Sequence, residues 1–173
     1  MMSLQSTDFE LFALQTRFEQ DRALLDARWK ELQRQAHPDK FADQGAAAQR
    51  VALQWSVRIN EAYQRLKDPL KRAAYLCELH GAPVQAESNT AMPGVFLMQQ
   101  MQWREELDDA QSVDALEQLR DQVMREQRNS YDALAQLIDV QQAWLAAVEQ
   151  VRVLMFIERF ARDLDQRLDQ IET

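Results

Sequence analysis

The chain has 173 residues, of which 46% are hydrophobic and 28% charged, with a net charge of −8. That supports one ordinary domain or two small ones around a buried core, and it is not the composition of a disordered chain. Three Gly and four Pro are too few for a turn-rich β-sandwich or barrel, the acidic balance argues against a dedicated nucleic-acid binder, and one Cys with two His excludes a disulfide framework, a zinc finger and a cysteine-ligated cluster.

The opening residues, MMSLQSTDFE, are acidic and free of arginine, and no basic stretch leads into an apolar run. Neither a secretory nor a mitochondrial targeting segment is expected. The apolar stretch DFELFAL, residues 8–14, predicts a two-turn helix. Residues 21–36 predict an amphipathic helix with Asp21 as N-cap and Leu25, Trp29, Leu32 and Ala36 at helical spacing. Pro38 disfavours helix at the residue before it, so this helix stops at His37. A second long helix is expected over 46–66, with Ala48, Ala52, Trp55, Ile59, Tyr63 and Leu66 on one face. Asp68-Pro69 pairs a capping residue with a proline suited to the first helical position. The helix it opens should end at His80-Gly81, with Gly81 as C-cap and His80 near the negative end of the dipole.

Composition then changes. Residues 1–80 carry a net charge of +1, whereas residues 81–173 carry −9 and contain arginine but no lysine. The change coincides with Gly81, Pro83, Ser88, Asn89, Pro93 and Gly94. The expected organisation is therefore a first module over 1–80, a linker over 81–92 and a second module over 93–173. The second module reads as three helices, at roughly 93–110, 112–139 and 142–171. Leu116, Leu119, Val123, Ser130, Leu134 and Leu137 form the seam of the middle one. Leu154, Ile157, Ala161, Leu164, Leu168 and Ile171 form the inner face of the last. The expected fold class is all-α: a helical hairpin with flanking short helices, followed by an antiparallel three-helix bundle. No run of eighteen apolar residues occurs, so no membrane span is expected and a soluble cytoplasmic protein is the default.

Two places carry more than architecture. His37-Pro38-Asp39 joins the two long helices of the first module. By itself the tripeptide is compatible with a simple turn. A catalytic use of His37 finds no second group in sequence to complete it. Arg22, Asp26, Lys30 and Arg34 fall one turn apart and lead to His37. They form either a solvated face or a cationic ridge that steers an acidic partner. In the helix that carries the segment VFLMQQMQWREEL, Phe96, Trp103, Leu107 and, beyond it, Ala110 cluster on one face. Leu97, Met98, Met101 and Glu105 lie nearly opposite. A bundle helix needs one apolar face, so the second is surplus. It packs on the first module, on another copy, or on a partner. Phe156 lies about 160° from Leu154 on the last helix and is a candidate for the same patch.

The order of elements over residues 8–80, with His37-Pro38-Asp39 followed by Lys40-Phe41 and then INEAYQRLKDP, resembles the J-domain. Tyr75, Leu76, Leu79, His80 and Gly81, together with FLM..M..REEL in an acidic helical bundle, make the whole chain similar to the HscB family of iron–sulfur co-chaperones. The resemblance implies a co-chaperone without catalysis of its own and without metal or cofactor. It implies that His37, Pro38, Asp39, Arg22, Lys30, Arg34 and Lys40 engage an HscA-type ATPase chaperone of the DnaK class and stimulate ATP hydrolysis. It also implies that Leu97, Met98, Met101, Gln102, Glu105, Asp109 and Phe156 hold the scaffold protein IscU. Gln102 departs from bacterial relatives, where that position is often acidic. The transit sequence and N-terminal cysteine pairs of eukaryotic relatives are not found in this sequence, so a bacterial cytoplasmic protein is expected; a monomer is expected as well. The rivals are a general J-protein with broader clients and a module whose surplus apolar face is an oligomer interface.

Overall fold

The computed structural model describes residues 2–85 and 92–172. Of the expected linker, residues 86–91, including Ser88 and Asn89, lie outside that description. The backbone divides into two compact units, Met1–Leu76 and Cys77–Thr173. The described residues form helices and turns, with no strand.

In the first unit, α1 (Asp8–Leu11) is opened by a reciprocal cap. Thr7 accepts from the Glu10 N–H, and Glu10 accepts from the Thr7 N–H. The expected two-turn helix is only one turn long. Ala13 adopts φ +52°, and Phe9, Leu11 and Phe12 are all buried. Phe9, Leu11 and Phe12 are committed to the core while Glu10 and Ala13 face solvent, and the left-handed backbone at Ala13 stops the helix.

Helix α2 (Arg22–Ala36) begins where the Asp21 carboxylate accepts from the N–H groups of Ala23 and Leu24 at 3.0 and 3.3 Å. It ends at His37, as Pro38 requires. Helix α3 (Ala46–Lys67) returns antiparallel to it. The pairings run in opposite directions along the two helices: Arg22 with the Lys67 carbonyl, Asp26 with the Tyr63 hydroxyl at 2.6 Å, and Gln33 with the Ser56 hydroxyl at 3.0 Å. Trp29 stacks on Tyr63 with ring centroids 4.5 Å apart and donates to Asn60. A buried charge ties α1 to α3: Asp8 is fully buried, with Arg65 at 2.6 Å and Arg58 at 2.8 Å. Helix α4 (Pro69–Leu79) starts on the Asp68 carboxylate, which accepts from the Leu70 N–H at 2.9 Å. The division between units falls inside this helix, after Leu76.

In the second unit, Gly81 stops α4 in the left-handed conformation at φ +78°. Its N–H donates to the Glu78 carbonyl and the Ala82 N–H donates to the Cys77 carbonyl, so two orphan carbonyls are satisfied. His80 does more than sit at a helix end. Its ring stacks on Trp144, 3.8 Å between centroids and 10° from parallel. Helices α5 (Gly94–Asp109), α6 (Val113–Ala135) and α7 (Trp144–Glu172) form the up-down-up bundle. Ser112 caps α6 through the Ala115 N–H. Arg120 on α6 meets Asp165 on α7, and Tyr131 meets Glu158, so these two helices run antiparallel. Rings of Phe96 and Trp103 from α5 interlock with Phe156 and Phe160 from α7 at centroid separations of 5.6–6.3 Å.

One register differs from expectation. The α6 seam holds from Leu116 to Leu134, but the next buried residue is Ile138 and not Leu137. Residues Gln136–Val140 form a π turn. Its wider winding places one extra residue in the turn and advances the inward face by one position.

Candidate functional site

The His37-Pro38-Asp39 segment is not an irregular loop. Pro38–Gln44 winds as a 3₁₀ helix with Pro38 at its first position and His37 as the flanking cap. The Nδ1 atom of His37 accepts from the Asp39 N–H at 3.2 Å. The Lys40 N–H closes the turn on the His37 carbonyl at 3.0 Å. The Asp39 side chain is 94% exposed and lies 3.7 Å from the imidazole. The segment thus holds an imidazole and an exposed carboxylate side by side, with backbone fixed by proline.

The ridge leading to it is less cationic than its residue types suggest. Arg22 pairs with Asp26 at 2.9 Å and Arg34 pairs with Glu31 at 2.6 Å. The Tyr63 hydroxyl, and after it Arg22, hold the Asp26 carboxyl below its ordinary range. Arg34, then Gln35, do the same for Glu31. Arg22, Lys30, Arg34 and Lys40 are all exposed. Charge on this face is therefore patterned, with carboxylates set between the cations.

In the second unit, α5 separates its two faces as the spacing predicts. Phe96, Trp103, Leu107 and Ala110 are buried, whereas Met98 and Met101 are 74% and 67% exposed and Leu97 is exposed as well. Gln102, Glu105 and Asp109 continue that exposed surface toward the C-terminal end of the helix. Phe156 is half-buried: it stands edge-on to Phe96 at 5.7 Å and belongs as much to the ring cluster as to the surface.

Two features of this face were missed in sequence. Val95 is 84% exposed and lies on the same stripe as Met98 and Gln102, three and seven residues on. That spacing was the available signal. A groove of about 390 Å³ also runs between α5 and α6, where Gln102, Glu105, Glu106 and Asp109 face Gln118 and Gln122. The nearby arginines are drawn to α7 instead, Arg104 to Asp163 at 3.5 Å and Arg120 to Asp165 at 2.8 Å. Among the described residues, no group of three or more His, Cys, Asp or Glu could hold a metal ion, and no helix is long and apolar enough to cross a membrane.

An exposed His-Pro-Asp turn on a helical hairpin, followed by a separate bundle with an apolar outer face, is the architecture of a J-domain co-chaperone. The family described as the HSCB C-terminal oligomerisation domain matches residues 92–165. A co-chaperone protein HscB homolog from Burkholderia multivorans is 48% identical over 176 residues, covering all of both chains. Among solved structures, chaperone HscB from Vibrio cholerae aligns with a TM-score of 0.81 at 37% identity, over 96% of this chain and 99% of that one. Human co-chaperone protein HscB aligns with a TM-score of 0.90 at 26% identity, over 99% of this chain and 86% of that one. The chain belongs to the HscB co-chaperone family.

Proposed function

We propose that this chain is an adaptor in iron–sulfur cluster biogenesis, a regulator and not a catalyst. In this reading residues 1–80 are a J-domain that engages an HscA-type ATPase chaperone of the DnaK class. Residues 81–92 link it to the bundle over 93–173, which holds the scaffold IscU. The observation that carries the reading is the outer face of α5. Leu97, Met98 and Met101 are exposed apolar side chains edged by Gln102, Glu105 and Asp109. Flexible methionines inside a polar rim suit a protein partner. The His37-Pro38-Asp39 turn with Arg22, Lys30, Arg34 and Lys40 then serves the ATPase. Phe156 contributes an edge, since half of its ring is committed to the core. Holding both partners on one chain raises their effective concentration and couples scaffold binding to ATP hydrolysis. The reaction runs in a bacterial cytoplasm, with the cluster carried by the scaffold.

The test is the steady-state ATPase rate of the HscA-type chaperone with this protein, with IscU and with both. A rate with both that far exceeds the two separate effects is expected. His37→Gln should abolish the stimulation while far-UV circular dichroism stays unchanged. Leu97→Ala with Met101→Ala should weaken scaffold binding by roughly 1–3 kcal/mol per residue, not strictly additively. Equal affinity for denatured model proteins and for IscU would instead make this a general J-protein.

A further inference from the structure

The segment that presents Asp39 has little core of its own. No residue of Pro38–Gln44 is buried. Within it, Phe41 helps to wall a cleft of about 520 Å³ in the first unit. The cleft runs between the end of α2 and the start of α3, and Leu32, Ala36, Ala48, Ala52 and Trp55 line it. It exists because α3 opens with small residues: Ala48 and Ala52 stand where larger side chains would fill the space.

The chain's own N-terminal residues reach this cleft, and Met2 is among its lining residues. Their path is fixed. The Arg58 guanidinium donates to the Leu4 carbonyl at 3.0 Å and the Ser6 carbonyl at 2.7 Å. The Ser6 N–H closes a turn on the Ser3 carbonyl at 3.1 Å. Arg58 is itself braced by the buried Asp8 at 2.8 Å, and the Asp8 N–H donates to the Tyr75 hydroxyl. A buried charge network thus anchors a short strap that includes Met2, which lines the same cleft as Phe41.

We propose that residues 2–6 are a positioning strap: Met2 closes the cleft behind Phe41 and so steadies the 3₁₀ helix that presents Asp39. Its functional part rests on the reading that this turn engages the ATPase chaperone. Met2 is a positioning residue, since it acts on the turn through Phe41. Met2 as a residue remains 44% exposed, so a substitution there removes support from the turn without opening the core.

The experiment compares the full chain with Met2→Ala and Met2→Leu. It reads amide hydrogen exchange over Asp39–Gln44 and the concentration needed for half-maximal ATPase stimulation. Met2→Ala should speed exchange in that segment about fivefold, the effect of losing roughly half a methionine's buried surface. Exchange in α6 should not change, and Met2→Leu should restore the wild-type rate. The half-maximal concentration should rise by a similar factor at an unchanged maximal rate. Unaltered exchange in Met2→Ala overturns the strap, whatever the ATPase shows. Faster exchange with an unshifted half-maximal concentration overturns its functional part. A wild-type chain that stimulates no ATPase sinks the adaptor reading, while the exchange result still decides the strap.

Discussion

Asp8 is a carboxylate with no exposed surface, and it draws together elements far apart in sequence. Arg65 grips both of its oxygens, Arg58 pairs with one of them, and Tyr75 takes its N–H. Removing one partner of such a group leaves an uncompensated buried charge, which costs far more than the pair contributes. Asp8→Asn should therefore destabilise the first unit by about 3 kcal/mol, the low end of that range because Arg65 stays partly hydrated. Urea denaturation measures it, and a change under 1 kcal/mol would mean that the arginines simply turn to water. Nothing in the sequence distinguished Asp8 from other acidic residues. It stood in an apolar stretch, and its partners lie fifty or more residues away. Single-residue roles of this kind are fixed by tertiary proximity, which no local pattern carries.

Elements were more legible because their signals are local. Asp21, Pro38, Asp68, Gly81 and Ser112 each mark a helix end in sequence, and each stands at one in the structure. The α5 faces followed from spacing alone. Winding was not legible. The 3₁₀ turn after His37 and the π turn at Gln136–Val140 depend on how backbone carbonyls choose donors, and residue types barely report that choice. Phe156 was half legible: its angle set it off the main stripe, but its contact with Phe96 depends on how closely α5 approaches α7. Ser130 shows the cost of one polar residue in an apolar seam. It is buried, and among the described residues its hydroxyl has no hydrogen-bond partner. Ser130→Ala removes an unsatisfied group and improves helix propensity, so it should stabilise the bundle by about 1 kcal/mol. Thermal denaturation checks this, and a loss of stability would reveal a partner for the hydroxyl.

On the scale of the whole molecule, the adaptor reading and a second copy of the chain make opposite demands on charge at the α5 face. A second copy docked there would bring two acidic surfaces together, since residues 81–173 carry −9 and exposed Glu105 and Asp109 edge Met98 and Met101. Like charges meeting across an interface oppose it, whereas a basic partner gains from them. Sedimentation equilibrium should return the monomer mass of 20.2 kDa. A stable dimer dispersed by Met98→Glu would make this face an oligomer interface and undercut the adaptor reading. The division into two units also has a chemical side. Lys30, Lys40, Lys67 and Lys71 are the lysines of the sequence, and all fall within Met1–Leu76. Acylating reagents, amine-directed dyes and lysine-modifying enzymes can therefore mark side chains of one unit while leaving those of the other untouched. The chain is in this sense already encoded for one-sided labelling: a lysine-borne signal reports on the unit that carries His37-Pro38-Asp39, and a lysine modification falls on that unit alone.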